Sequence, residues 1–197
     1  MLPVTSHLGT DAALGLANSA HGPGAHYRRR AKAGDPRHDH LDTPLDAVEF
    51  LSTHSVPAPG TAPTARQLER LRTIRSLARA LADDPRLDLA AWHAAIDADL
   101  GRVAFRLSTD GSLRSTAPGW DGIADDLLPA VLALARERGR LRHCGNPLCT
   151  WLFVDRSARG DRVWCEAAVC GNRVRVGRHR QRPEVVSRPG RPSGPRG

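Results

Sequence analysis

All four cysteines of this 197-residue chain fall between positions 144 and 170, as two Cys-x4-Cys pairs, Cys144/Cys149 and Cys165/Cys170, with fifteen residues between them. No other feature narrows the choice of fold so far. Each pair closes a short knuckle, and a spacer of this length brings two knuckles around one tetrahedral ion. Four thiolates fill the coordination sphere of Zn2+ and leave no position for water, so the spacing predicts a structural zinc site and argues against metal catalysis. Redox-active dithiols and free structural thiols are the other readings of the same residues. Disulfides require an oxidising compartment, and the N-terminus lacks a basic segment followed by an apolar run; Ala-Asn-Ser-Ala at 17–20 matches a cleavage site only superficially. The expectation is a cytoplasmic protein with reduced thiols.

Between the pairs, residues 151–154 read as a strand, 155–161 as a turn and 162–164 as a returning strand. Such a unit has no core of its own. Metal ligation, with Trp151, Phe153 and Trp164 packed around it, has to hold it together, so chelation is expected to unfold it. After Cys170, Gly171 and Asn172 are expected to break the knuckle and cap a helix running through Arg173, Arg175, Arg178, Arg180 and Arg182. At about 100° per residue, Arg175, Arg178 and Arg182 share one stripe, with Arg173 and Arg180 opposite. Arg142, Arg162 and Arg173 are placed to offset the charge of a four-thiolate zinc.

Charge is sorted along the chain. Residues 1–135 carry 14 basic and 16 acidic groups, whereas residues 136–197 carry 15 arginines against five acids, so the net charge of +8 resides in and around the cysteine module. This predicts a polyanionic partner for that end, and arginine suits phosphate and guanine contacts. Nucleic acid is one such partner. An acidic protein docked on a zinc-stabilised interaction module is another, and RNA stacked on Trp151 and Phe153 is a third. Residues 183–197, rich in Pro, Gly, Ser and Arg, read as a disordered basic tail.

Only 4% of residues are aromatic, so the main core must be built from Leu, Val, Ile and Ala, a palette for packed helices. A short helix is expected over 11–20, with Leu14, Leu16 and Ala17 inward and weakened by Gly15. A long exposed loop follows over 21–42. Thr43-Pro44-Leu45-Asp46 starts a helix that runs to about His54 and faces Leu45, Val48, Phe50 and Leu51 to the core. A linker containing Pro57, Pro59, Gly60 and Pro63 leads to the most periodic segment, 64–83, and a further helix is predicted over 87–100. Residues 102–108 alternate as a strand, Asp110-Gly111 is a turn, and 112–116 return. The last long helix spans roughly 121–138, with Pro129 expected to bend or break it and Arg136, Arg138, Arg140 and Arg142 closing it. The fold class is therefore mainly α: a helical domain with a small β-hairpin over 1–139, a four-cysteine zinc-finger module over 140–182 ending in a basic helix, and the tail.

No apolar stretch is long enough for a membrane span. His38 and His40, with Asp39 and Asp42, fit a loop of local charge pairs better than a metal site. His143 and His179 flank the cysteines but are not needed as ligands, and Trp92-His93 reads as packing. No Ser/His/Asp arrangement, phosphate-binding glycine loop or His-Glu-x-x-His occurs, so the chain is not expected to be an enzyme.

The two Cys-x4-Cys pairs, Trp151-Leu-Phe-Val-Asp155, Trp164-Cys165, and Cys170-Gly-Asn-Arg173 with the basic stretch ending Arg178-His179-Arg180 together resemble the CGNR zinc finger. That finger closes bacterial proteins of the ABATE-domain type, which carry the description "putative stress-induced transcription regulators". Ala13-Leu-Gly-Leu-Ala-Asn18-Ser19 resembles the opening helix of that domain, and Leu41 to Leu51 its second. Gly15 stands where the family usually has an acidic residue, and Gly177 interrupts the basic helix at a cost of about 1 kcal/mol relative to Ala. The resemblance implies zinc on Cys144, Cys149, Cys165 and Cys170, DNA as partner of the finger, and a sensor-like N-terminal domain with a small-molecule ligand.

Overall fold

The computed structural model describes residues 8–21, 38–53 and 59–181. Helix α1 (Gly9–Ala17) is followed by a two-residue strand β1 (Ala20–His21), which pairs antiparallel with β2 (His38–Asp39). Then come α2 (Pro44–Thr53), α3 (Ala65–Asp83), α4 (Leu89–Leu100), a hairpin of β3 (Phe105–Leu107) and β4 (Leu113–Ser115), and α5 (Gly119–Arg136). The C-terminal module contributes β5 (Leu141–His143), β6 (Leu152–Val154) and α6 (Asn172–Arg180). The architecture is mainly helical, as the composition requires.

Helices α1, α3 and α5 form the centre of the main core. Leu16, Leu71, Ile74, Ala78, Leu128, Val131 and Leu134 are buried there. The three- and four-residue spacing along α3 buries Leu68, Leu71, Ile74, Ala78 and Leu81 on one face. Its start is fixed by a reciprocal capping box: Gln67 N–H donates to the Thr64 hydroxyl (3.3 Å), and Thr64 N–H donates to the Gln67 side chain (2.9 Å). Thr43 and Asp46 close the first turn of α2, and Asp88 accepts from Ala90 and Ala91 N–H at the start of α4.

Several expectations give way. In α1 it is Ala13, with Leu16 and Ala17, that is fully buried, while Leu14 packs at the margin. Leu45, in the first turn of α2, is 78% exposed, and Leu107 projects from the hairpin into solvent. Helix α5 runs unbroken through Pro129, so only the N–H bond to the Asp125 carbonyl is missing. It ends at Arg136, and the chain makes one 3-10 turn (Arg138–Arg140) before becoming strand β5. Of the expected loop over 21–42, residues 22–37 lie outside the described residues. Residues 38–42 are not an open loop: Asp39 holds Arg75 through two hydrogen bonds (2.5 and 2.8 Å), and His40 is buried against Phe50. The expected tail over 183–197 and Arg182 also lie outside the described residues.

The arginines of α3 are not a solvated face. Arg72 donates to the Leu41 carbonyl (2.6 Å), Arg75 to Asp39 and the Ser19 hydroxyl, and Arg79 to the Ala17 (3.1 Å) and Thr150 (3.3 Å) carbonyls. Spaced at i, i+3 and i+7, they form a ladder that ties α3 to the start of α2, the end of α1 and the cysteine module.

Candidate metal centre and its basic helix

Strand β6 does not pair with residues 162–164, as the sequence suggests, but with β5, which precedes the first cysteine; Leu141 faces Val154 and His143 faces Leu152. The period-two pattern decides the rest. Leu141, Leu152 and Val154 point into the main helical core, while Phe153 points the other way and is buried under the Arg162 guanidinium, 5.1 Å from the ring centre. The module is thus built onto the helical domain. Asn18, at the end of α1, receives Leu152 N–H on its side-chain oxygen (2.8 Å) and donates its amide to the Leu152 carbonyl (2.9 Å), pairing with the strand as another strand would. His143 meets Asp83 (3.2 Å), and Arg156 reaches Asp11 and Glu137.

Residues 155–162 are organised by Asp155, which is fully buried. Its carboxylate accepts Ser157 N–H (2.9 Å), the Ser157 hydroxyl (2.6 Å) and Arg162 N–H (2.9 Å). The Ser157 hydroxyl is the main reason its pKa lies below the ordinary carboxylate value, despite burial. With these bonds residues 162–164 need no strand partner.

This scaffold brings Cys144, Cys149, Cys165 and Cys170 together, with all four sulfurs within 4.8 Å of one another. Zn–S bonds of about 2.3 Å place tetrahedral sulfurs about 3.8 Å apart. The Cys149–Cys165 and Cys165–Cys170 separations are 3.9 and 3.7 Å, and no disulfide is formed. The donor set and spacing fit Zn2+. Acid–base behaviour points the same way. A hydrogen bond from Cys165 pulls Cys149 down to about 5, while Cys165, as donor to Cys149, is driven far above the ordinary thiol value; burial, with the neighbouring thiolate, pushes Cys170 up to about 11. Four thiolates therefore need a cation between them. The zinc supplies a fixed tetrahedral cross-link between the knuckles and no open coordination position.

The knuckles share a tripeptide: Cys144-Gly145-Asn146 and Cys170-Gly171-Asn172. Trp164 is wedged between them. A Cβ at Gly145 would lie 2.6 Å from a Val163 methyl and 3.2 Å from the Trp164 ring, and one at Gly171 would lie 3.0 Å from that ring, so both positions need glycine. The two asparagines differ. Asn146 is buried, donates to the Cys170 sulfur (3.6 Å) and accepts Leu148 N–H (3.1 Å), orienting one ligand and bracing the first knuckle. Asn172 is exposed and helical, with no capping bond, because a π-helical turn (Ala167–Gly171) runs directly into α6. The expected role of Asn172 in breaking the knuckle and supporting the metal belongs instead to Asn146, and the repeated tripeptide is the signal that marks it. Trp151 and Trp164 pack against the sulfurs as expected; Phe153 is buried but elsewhere. Arg162 donates to the Trp164 (2.8 Å) and Cys165 carbonyls, while Arg142 donates to the Leu141 carbonyl on the exposed side of β5.

No residue of α6 is buried. The α-helix keeps Arg175 near Arg178 and Arg173 near Arg180, as expected, but the first knuckle faces the side between these two stripes. Arg173 and Arg178 flank Val174 and Gly177 on the side facing the first knuckle, and Arg175 and His179 lie on the far side with Arg180 at the flank. Among the described residues Arg175, Arg178 and Arg180 have no carboxylate partner. The helix is continuous through Gly177.

Among the described residues no helix is long and apolar enough to cross a membrane. Comparison with family models gives two adjacent matches: residues 10–139 to ABATE, described as "Putative stress-induced transcription regulator", and residues 140–183 to the CGNR zinc finger. Comparison with curated proteins returns no match.

Proposed function

The chain belongs to the ABATE family, whose model is described as "Putative stress-induced transcription regulator", its C-terminal part being a CGNR zinc finger, and from that premise we propose that it is a non-catalytic cytoplasmic regulator whose zinc-held helix α6 binds DNA. The observation that carries this reading is the pairing of a four-thiolate zinc cage with a helix that leaves it directly, has no buried residue, and presents Arg173, Arg175, Arg178 and Arg180. A rigid cage and an exposed helix carrying guanidinium groups on several sides suit contact with a phosphate backbone or the major groove. The metal would fix the helix, and the Asn18–Leu152 pair and Arg79 would fix the module against the helical domain.

The ligand of the helical domain would enter between α1, α2 and α5. An apolar pocket there is lined by Leu8, Leu16, Phe50, Leu51, Trp120 and Leu127, with about 20 Å³ of interior space, room for roughly one water. A small apolar molecule would therefore have to displace α1, whose C-terminal end carries Asn18. That links occupancy of the pocket to the seating of the finger.

The test is binding of the zinc-loaded full chain to duplex DNA as a function of salt. With about five phosphates neutralised, log K should fall against log[salt] with a slope of about −4 to −5. Absence of binding at low salt, or binding unchanged by EDTA and by Cys170→Ser, would overturn the reading.

A further inference from the structure

The side of α6 turned away from solvent borders an open groove. Pro147 and Leu148 of the first knuckle form one wall, Val174 and Gly177 of α6 the other, and Arg173 and Arg178 stand at its rims; its volume is about 580 Å³. Leu148 is 56% exposed, an unusual place for a leucine in so basic a module. We propose that this groove is a docking site for an acidic peptide segment of a partner protein, an apolar side chain entering between Leu148 and Val174 and flanking carboxylates meeting Arg173 and Arg178. The site rests on the same helix as the DNA contact proposed above and shares Arg173 and Arg178 with it, so peptide and DNA would compete for those two groups, while Arg175 lies outside the groove.

The chemistry of the walls favours a peptide over a nucleic-acid strand. A phosphate cradle needs backbone N–H groups aimed outward. Here Gly145 N–H donates to the Val163 carbonyl, Cys149 N–H to the Asn146 carbonyl and Leu148 N–H to the Asn146 side chain, and Pro147 has none. The Asn146 amide is turned to the Cys170 sulfur. What remains, beside Asn146 and Gln181, is an apolar strip of Pro147, Leu148 and Val174 between cationic rims, complementary to an apolar anchor between acids. The volume accommodates a short stretch of peptide.

Gly177 allows a direct test. A Cβ built there meets nothing within 4 Å, so the side chain of Gly177→Leu has room to leave the helix and project into the groove. The probe is a fluorescein-labelled heptapeptide with a central leucine and acidic residues on both sides, titrated into the zinc-loaded full chain; the control replaces that leucine by serine. The expected results are binding of the leucine peptide, and about tenfold or weaker binding both for the serine peptide and for the leucine peptide on Gly177→Leu or Leu148→Asp, the loss that follows when a leucine is denied its pocket. Arg175→Ala, outside the groove, should reduce DNA affinity and leave peptide affinity unchanged. Zinc content and helicity of each variant show that it is folded. Equal binding of the two peptides, no peptide binding to the zinc-loaded protein, or full affinity on Gly177→Leu would overturn the proposal. Loss of DNA binding on Gly177→Leu with peptide binding intact would assign the groove to nucleic acid instead.

Discussion

The helical domain and the cysteine module are two solutions to the problem of holding a chain in place. The first buries a stripe of aliphatic side chains on each of α1, α3 and α5 and closes α2, α3 and α4 with local caps. The second has almost no aliphatic core. Its interior is three buried cysteines with Trp151, Trp164 and Cys165 packed on them, and its strands among the described residues, β5 and β6, send Leu141, Leu152 and Val154 into the other domain. One region is stable through periodic burial, the other through a metal and a loan of core. They should therefore fail separately, under different conditions.

Removing the metal should show the largest effect. Binding of structural zinc contributes about 10–16 kcal/mol of apparent free energy in zinc-finger peptides near neutral pH. Cys170→Ser, at a fully buried ligand, or treatment with a strong chelator should abolish stoichiometric zinc and the α6 contribution to far-UV circular dichroism, while a cooperative thermal transition of α1–α5 survives at lower temperature. Metal analysis with a melting curve checks both parts. Loss of all helical signal on chelation would mean that the two regions are one folding unit.

The periodic region was largely legible in the sequence because its information is local. Leu68, Leu71, Ile74, Ala78 and Leu81 announce α3 by spacing alone, and the cysteine pairs announce their cage in the same way. What could not be read is carried by single side chains reaching distant backbone. Asn18 pairs with Leu152 across 134 positions, and Arg79 reaches Thr150 across 71; neither leaves a periodic trace. Residues 141–143 were hidden for a different reason: Arg138, Arg140 and Arg142 look like the end of a helix, and only the pairing with β6 turns them into a strand edge. Asp155 looks like one more turn residue until its three hydrogen bonds are seen.

The Asn18 contact offers a sharper cut between the regions. Asn18→Ala leaves Leu152 N–H and C=O without their partners in a partly buried seam, a cost of about 1–3 kcal/mol. Zinc should remain bound. The expected outcome is a zinc-loaded protein in which hydrogen exchange at β6 is faster and the α1–α5 core is little changed. Asn18→Asp should be at least as damaging, since it faces the Leu152 carbonyl with a carboxylate instead of a donor. If both variants exchange like the parent, the shared core at Leu141, Leu152 and Val154 is enough to seat the module.

Acid should separate the regions in order. Thiolates must be protonated for zinc to leave, so the module fails first as pH falls. The helical domain carries Asp39, whose carboxyl is lowered below its ordinary 3.8 although burial opposes this, because the Arg75 guanidinium donates two hydrogen bonds to it. A depressed folded value means that this stability is fully present above the ordinary value and is lost as pH falls through the folded one. Two acid transitions are expected, with zinc release at the higher pH and loss of the β2–α3 contact between Asp39 and Arg75 below about pH 4. Asp39→Asn should remove the pH dependence of the second and leave the first in place. A single transition for both signals would erase the distinction.

The smallest expected effect lies where the module most resembles the helical domain, in α6. Unlike α3 and α4, this helix has no side-chain cap, no buried residue, and a glycine in its interior. Its order must come from the π turn that leads out of Cys170 and therefore from the zinc. Gly177 has ordinary helical geometry, and an added Cβ there meets no neighbour, so Gly177→Ala should stabilise α6 by about 0.5–1 kcal/mol. Amide exchange over residues 173–180 in the zinc-loaded protein should slow about three- to fivefold, with no change in α3, where exchange is governed by the buried core. Unchanged exchange in α6 would show that the metal-held turn already determines its order, and that intrinsic helix propensity matters as little in the module as periodic burial does.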